Sequence, residues 1–331
     1  MMYPGGFTTE FASSLLDLRS AAPAVLKQYN PGLLAYGCVK FNCAHGAAEY
    51  IAPFDVSGWV LGYNKKIFAK VGIKAPLKTW NDLVAAGKKL KAAGYIPFQM
   101  GNRDGYMADA FLSNMESSYL KPADIAAFLG GKLKLTDARF VDPLTKMADL
   151  YKQGLVNENA CSLEQLASQR DFISGKAATV ATYDYANIYK TMKGNLGVMT
   201  WPAVNGAANV RGAGPAAQVG QGWVIPKGTS NAPLAAALLA FLTSAKAQTA
   251  QFTIAGNPPA NTAASTATPP DPASGQAAKY FQHATILSLD SVMPLRTQTA
   301  YFKITNLALC GKNSPDQAMK SIQDVFAREN R

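Results

Sequence analysis

Histidine is almost missing from this chain, with two in 331 residues, His45 and His283. So little imidazole leaves scant general-base capacity near neutral pH. Charged residues make up 16% of the chain, below the usual quarter, so Ser, Thr, Asn and Gln must supply much of the surface polarity. Long apolar runs are lacking too. The longest, Leu234 to Leu242 in "LAAALLAFL", falls well short of the ~20 residues that a bilayer crossing needs, and predicts a buried helix. The opening "MMYPGGFTTEFASSLLDL" has no basic flank, apolar centre or small-residue cleavage site, so taken literally the chain is cytosolic. No G-x-G-x-x-G follows a strand, and no G-x-x-x-x-G-K-[ST], G-x-S-x-G or H-E-x-x-H is present. The common signatures of nucleotide binding, serine hydrolysis and zinc proteolysis are therefore absent.

Cysteine is scarce but even in number: Cys38, Cys43, Cys161 and Cys310. Cys38, Cys43 and His45 are spaced like the start of a zinc site, yet the second half, a pair of histidines, is missing. A disulfide or free buried thiols remain, and a disulfide would require export. No metal, cofactor or catalytic residue is expected.

What is present is apolar content, at 48% with a mean hydropathy of -0.02, enough in a chain of this length to bury two cores. The net charge of +11 raises the question of an anionic partner. The lysines of "KVGIKAPLK" and "KKLKAAG" sit among apolar helix positions and not in one dense block, so they read as solvated helix faces rather than a nucleic-acid surface, with attraction to an anionic envelope left open. No aromatic-basic motif accompanies them, so nucleic acid is not expected.

Helix signals are clearest in "PLKTWNDLVAAGKKLKAAG", with Thr79 as N-cap, Asp82 three residues on and Gly94 as the stop. "YIPFQMGN" reads as a short strand, "YMADAFLSNMESSYL", "FVDPLTKMADLYKQGLV" and "SLEQLASQRDFISGK" as helices, and "AATVATYDY" as a strand. "VGQGWVIPKGTS" is a strand interrupted by Gly220 and Gly222, followed by a helix from about Pro233 to Gln251. "GNPPANTAASTATPPDPASG" reads as an extended surface loop, and "SPDQAMKSIQDVFAREN" as a capped final helix. Strands alternating with helices predict α/β lobes with mostly parallel sheets.

One constellation recurs: Asn, Asp, Arg or Gln beside Trp or Tyr at a strand end or glycine-bearing loop. It occurs as "FDVSGW", "GNRDGY", "TYDYAN", "GQGW" and "RTQTAYF". A pyranose needs this pairing, since its C–H face packs on an aromatic ring and its hydroxyls seek planar polar partners. Paired carboxylates drawn from Asp55, Asp104 and Asp184 keep a glycoside-active enzyme open as an alternative. A ligand-sensing adaptor of the same fold is another.

The run "YIAPFDVSGWVLGYNKKIFAKVGIKAPLKTWNDLVAAGKKLKAAGYIPF" resembles the central signature of the family 1 extracellular solute-binding proteins of ABC transporters. "FISGKAATVATYDY", "GQGWVIPKGTSNAPLAAALLAFLTSAKAQ", "AGNPPA" and "GKNSPDQAMKSIQDV" resemble later blocks of that family in the same order. The resemblance implies an α/β, two-lobe periplasmic-binding-protein-like fold of type II. Residues 1–56 and 224–280 would form a partial N-terminal lobe, 57–223 and 281–331 the C-terminal lobe, with hinge crossings near 54–60 and 220–225. It further implies a sugar ligand, the permease of an ABC transporter as partner, a monomer and an extracytoplasmic place. Asp55, Ser57 and Trp59 would lie near the cleft floor. Asn102, Arg103, Asp104 and Tyr106 match a ligand loop of the second lobe, and Tyr185, flanked by Tyr183 and Asp184, stands where the family often stacks a Trp on sugar. Trp223 matches the second crossing strand. Gln298 and Tyr301 match a helix start that commonly supplies a ring, although Gln298 itself replaces one. Tyr63-Asn64-Lys65 reads as a structural turn. The family's signal segment and first strand-helix units have no counterpart at the front of this chain, which predicts a truncated first lobe with exposed apolar edges.

Overall fold

The computed structural model describes residues 1–34, 48–202, 204, 217–282 and 288–330. Cys38, Cys43, His45 and His283 lie outside the described residues, and so does the zinc question attached to them. The chain begins with four short helices, α1 (Gly6–Phe11), α2 (Leu18–Ala21), α3 (Pro23–Leu26) and α4 (Pro31–Leu34). Strands β1 (Ala52–Pro53), β2 (Val56–Gly58) and β3 (Val60–Asn64) lead to α5 (Lys65–Val71), α6 (Trp80–Ala92) and β4 (Ile96–Gln99). Helices α7 (Asp109–Glu116), α8 (Pro122–Leu129), α9 (Ala138–Lys152) and α10 (Gln165–Ile173) precede β5 (Ala177–Thr182), α11 (Tyr185–Thr191) and β6 (Leu196–Met199). After β7 (Ala217–Val219) and β8 (Gly222–Trp223) come α12 (Ala232–Leu242), α13 (Ala245–Ala255), α14 (Pro272–Gln282), α15 (Leu289–Val292), α16 (Leu295–Leu309) and α17 (Pro315–Glu329).

The local signals explain the helix ends. Thr79 Oγ1 accepts the Asp82 N–H at 3.1 Å while Asp82 Oδ2 accepts the Thr79 N–H at 3.0 Å, the reciprocal box that starts α6. Ser314 and Gln317 do the same for α17. Asn64 Oδ1 accepts the Ile67 N–H at 3.1 Å, so the Tyr-Asn-Lys turn is a helix cap.

The main sheet has the order β4-β5-β3-β6. Only β4 and β5 run parallel; β3 is antiparallel to both β5 and β6. The expectation of mostly parallel pairing therefore fails here. β3 enters the sheet directly from the crossing strands and not from a helical crossover, so the βαβ rule does not set its direction. Alternation along β3 sends Leu61 into a large core shared with α6, α7, α9, α16 and α17, and Val60 into a smaller one on the opposite face. A third core gathers Leu18, Val25, Tyr29, Ala52, Ile225, Leu239 and Ala260.

Between the third core and the sheet runs an antiparallel ribbon: β1 pairs with β8 and β2 with β7. A third segment joins it, since the Val56 N–H donates to the Pro258 carbonyl at 2.8 Å. The segment expected as a surface loop is therefore partly built into the structure. Gln248 Oε1 accepts the N–H groups of Ala260 and Asn261 at 2.9 and 2.8 Å, and α14 begins at Pro272. Its Ala273, Ala277 and Phe281 pack with the core beneath β6, so the stretch 272–280 sits with the sheet and not with the segments around 224–271.

Two further expectations need correcting. The helix expected from Pro233 to Gln251 is two helices, because Ser244 caps a new one by accepting the Ala247 N–H at 3.2 Å. The apolar run "LAAALLAFL" is not buried: within α12 only Leu239 is, while Leu234, Leu238 and Phe241 are 64%, 56% and 66% exposed. The elements that touch α12 are chiefly the four-residue helices α2 and α3 and the following helix α13, and they leave these three side chains uncovered.

Candidate functional site

The register of the central sheet builds the site. Val60 on β3 stands opposite Thr182 on β5, so the residues one step beyond, Trp59 and Tyr183, leave the ends of these two central strands side by side. Their ring centroids lie 5.3 Å apart at 62°, an edge-to-face pair. Tyr183 is 43% exposed and Trp59 half-buried, so both rings keep open surface.

Tyr106 joins them through Gln165, the first residue of α10. Gln165 Oε1 accepts hydrogen bonds from the Tyr106 hydroxyl at 2.6 Å and the Tyr183 hydroxyl at 3.2 Å. The Gln165 amide nitrogen is buried and has no partner among the described residues. Burial, with Tyr183, Asp104 and Tyr3 nearby, pushes the Tyr106 hydroxyl up to about 12, so it remains a donor at any physiological pH. The presence of Tyr3 among those neighbours follows from the backbone. Met2 pairs with Gly222 on the ribbon, exchanging hydrogen bonds of 2.8 and 2.9 Å, and so carries the next residue towards the site.

The loop that holds Tyr106 is fastened from behind. The Asn102 N–H donates to the Ala160 carbonyl at 2.7 Å and the Arg103 N–H to the Leu163 carbonyl at 3.0 Å. Cys161 and Cys310 form a disulfide with 6.4 Å between Cα atoms, tying this second loop to the end of α16. Of the alternatives open for the cysteines, this pair is a disulfide. Arg103 is exposed and held by Asp104, at 3.2 Å, and by Glu164.

Several expected ligand residues are placed otherwise. Tyr185, expected as the stacking ring, is 3% exposed and packs beside Phe281 in the core under β6. It starts α11, and the helix turns its ring inward while Tyr183, two residues earlier, stays outside. Tyr301 is fully buried, with its hydroxyl donating to Glu116 Oε1 at 3.2 Å. Gln298 spends its amide on the Asp290 carbonyl at 3.1 Å. Asn102 is buried, donating to Asn306 Oδ1 and accepting from the Ala108 N–H, both at 2.8 Å. Tyr185, Tyr301 and Asn102 are thus buried, and the half-buried Gln298 has its amide nitrogen engaged. Trp223 is half-buried against Phe54, 5.7 Å between centroids, on the side of the third core, and its indole N–H finds no partner among the described residues. Asp184 remains half-exposed beside Asn187. Ser57 sits on the ribbon opposite Gln218, and Asp55 is buried in the ribbon itself.

Gln165, Glu164 and Tyr3 were not singled out by the residue pattern. Gln165 lies inside "SLEQLASQR", where nothing but its helical spacing shows; only the folded loop brings it under two tyrosines. Among the described residues no group of three or more His, Cys, Asp or Glu is placed to hold a metal ion.

Residues 1–249 match the family model described as bacterial extracellular solute-binding protein. The chain belongs to that family. Among curated relatives, the sn-glycerol-3-phosphate-binding periplasmic protein UgpB of Brucella abortus is 28% identical over 155 residues, 46% of this chain and 34% of the relative. A probable ABC transporter-binding protein of Deinococcus radiodurans is 26% identical over 258 residues, 71% of this chain and 55% of the relative. The matched part thus spans a third to a half of these relatives' lengths. Among solved structures, a chitin oligosaccharide binding protein superposes with a TM-score of 0.82 at 20% identity, covering 100% of this chain and 84% of the other. Maltose-bound MalE3 of T. maritima gives 0.79 at 24% identity, covering 99% and 83%. The fold of this family member is accordingly the two-lobe, type II binding-protein fold, and its family is one of receptors. No helix among the described residues is long and apolar enough to cross a membrane.

Proposed function

We propose that this solute-binding protein is the capture component of an ABC-type sugar importer, holding a mono- or oligosaccharide between its lobes and delivering it to the membrane permease as a monomer outside the cytoplasm. The observation that carries this reading is the group formed by Trp59, Tyr183 and Tyr106 over the Gln165 amide. Rings with open surface supply the apolar platform, and the Gln165 amide nitrogen behind them, which has no partner among the described residues, is the donor we assign to a ligand oxygen once the site rearranges around it. Arg103, Asp104, Ser57 and Asp184 form the polar fringe. The names of the structural neighbours, a chitin oligosaccharide and a maltose binder, agree with such a ligand.

In this reading residues 1–56 with 224–271 move as one body, and the sheet with its helices, including α14, as the other. The ribbon of β1, β2, β7 and β8 is the hinge. A ligand that touches both bodies stabilises the closed form by its differential affinity. The output is binding and not turnover.

A thermal-shift screen over maltose, cellobiose, chitobiose, xylobiose and glycerol 3-phosphate tests it, followed by calorimetry on any hit. A saccharide that raises the midpoint and is recovered intact supports the proposal. Response to glycerol 3-phosphate alone, or cleavage of the saccharide, overturns it.

A further inference from the structure

The stretch from Lys65 to Lys91 holds eight lysines, one aspartate and no arginine, which accounts for seven of the chain's eleven net positive charges. All eight lysines are exposed. They lie on α5, on α6 and on the loop between, and among the described residues none forms an ion pair with a carboxylate. The single acid, Asp82, is already engaged in capping α6. Lys74, Lys78 and Lys89 surround one shallow depression of about 350 Å³. Lys146 of α9 extends the same face, reaching within 5.9 Å of the Trp80 ring.

This face is separate from the candidate ligand site. Trp59 stands before the first residue of β3 and α5 follows its last, so the two lie at opposite ends of a strand about 17 Å long. A charge set this far from the rings takes no part in holding a small solute there. Its chemistry is also specific in kind. Ammonium groups on flexible stems are point charges that meet many anions loosely, whereas nucleic-acid recognition draws on guanidinium forks and exposed stacking rings. The face has no arginine in its run, and its tryptophan is buried.

We propose that this face adsorbs to the anionic headgroups of a lipid bilayer, holding the protein at the membrane with the candidate cleft turned towards solution. Juxtaposed lysines near an anionic surface add their attractions and lose them with salt. Adsorption therefore keeps the receptor concentrated beside the membrane without occupying the face that takes solute. The inference does not depend on what the cleft binds.

Co-sedimentation with vesicles of phosphatidylcholine containing 30% phosphatidylglycerol tests the proposal, against pure phosphatidylcholine and at low and high salt. The intact chain is expected to bind the anionic vesicles alone and to be released by salt. The triple variant K74E/K78E/K89E is expected to bind at least tenfold more weakly. The variant K303E/K312E/K320E changes net charge equally on exposed positions of the α16–α17 side and is expected to bind much as the parent does. Equal loss in both variants, binding to neutral vesicles, or no binding overturns the proposal. Retention on heparin or duplex DNA without any retention on the vesicles overturns it too, in favour of a different polyanion.

Discussion

The carboxylate of Asp55 accepts the backbone N–H of Gln221 at 3.1 Å, joining the two strands of the ribbon where their pairing is interrupted. The Phe54 N–H donates to the Gln221 carbonyl at 2.9 Å beside it, and the Asn257 side chain reaches the same carboxylate from the third segment. One side chain thus ties all three segments that cross between the cores. Gly220 makes room for it, since a Cβ there would stand 2.5 Å from Asp55 Oδ1 and 2.7 Å from the Ser57 Cβ.

Substituting Gly220 by Ala is therefore expected to destabilise the protein by about 1 to 3 kcal/mol through overpacking. The loss should fall on the ribbon, so saccharide affinity drops with it. Urea midpoints and calorimetry on the same preparation check this, and an unchanged midpoint refutes the crowding.

Burial pushes the Asp55 carboxyl up to about 6 and those of Glu49 and Glu116 up to about 8. Asp109, fully buried with Asp290 and Glu116 close by, is raised too. A carboxyl whose folded value exceeds its unfolded one contributes stability below about pH 4 that is lost as pH rises through the folded value. Stability should therefore fall between about pH 4.5 and pH 8.5. The variant D55N, which cannot ionise, should flatten the part of the curve between about pH 4 and 6. Urea midpoints across that range decide it, and a rise towards pH 8.5 would contradict the assignment.

Replacing Trp59 or Gln165 by Ala should weaken saccharide binding by about 1 to 3 kcal/mol, with a further stability loss of about 1 to 3 kcal/mol for Gln165, whose removal strands the Tyr106 and Tyr183 hydroxyls. Tyr185→Ala should leave affinity nearly unchanged while costing about 3 to 5 kcal/mol of stability because it empties core volume, and Tyr185→Phe leaves affinity untouched. Calorimetric titration and thermal melts on all four variants separate platform from core.

The Cys161–Cys310 bridge closes a loop with a sequence separation of 149. Chain-entropy arithmetic for a loop that long gives about 4 to 5 kcal/mol of stabilisation. The double variant C161S/C310S is expected to lose much of that and to loosen the loop under Gln165. Melting with and without a reducing agent measures it; equal midpoints would show that the bridge adds nothing.

Polar replacement of Leu234, Leu238 and Phe241 with Gln should change stability by no more than about 0.5 kcal/mol each, since exposed side chains carry little folding energy. It should also lower binding of a hydrophobic dye. A large stability loss would mean that this face of α12 is covered in solution.

Capping boxes, glycine stops and strand runs were legible in the residues because they are local: Thr79 and Asp82 recognise one another three positions apart in any fold. The split at Ser244 is invisible in the residues for the converse reason, as helical spacing continues unbroken through it. Strand direction also escaped, since pairing joins residues as distant as Val60 and Thr182.

The α/β class, the family and the recurrent placing of rings beside polar tips are readable from the residues alone, because each is written in composition, short-range spacing or order of blocks. Which rings share a surface is settled by long-range packing. Tyr183 and Tyr185 are two positions apart and alike in chemistry, yet one leaves the end of a strand towards Trp59 while the other is turned by a helix start into the core. That difference depends on register and burial among distant segments, which no local pattern encodes.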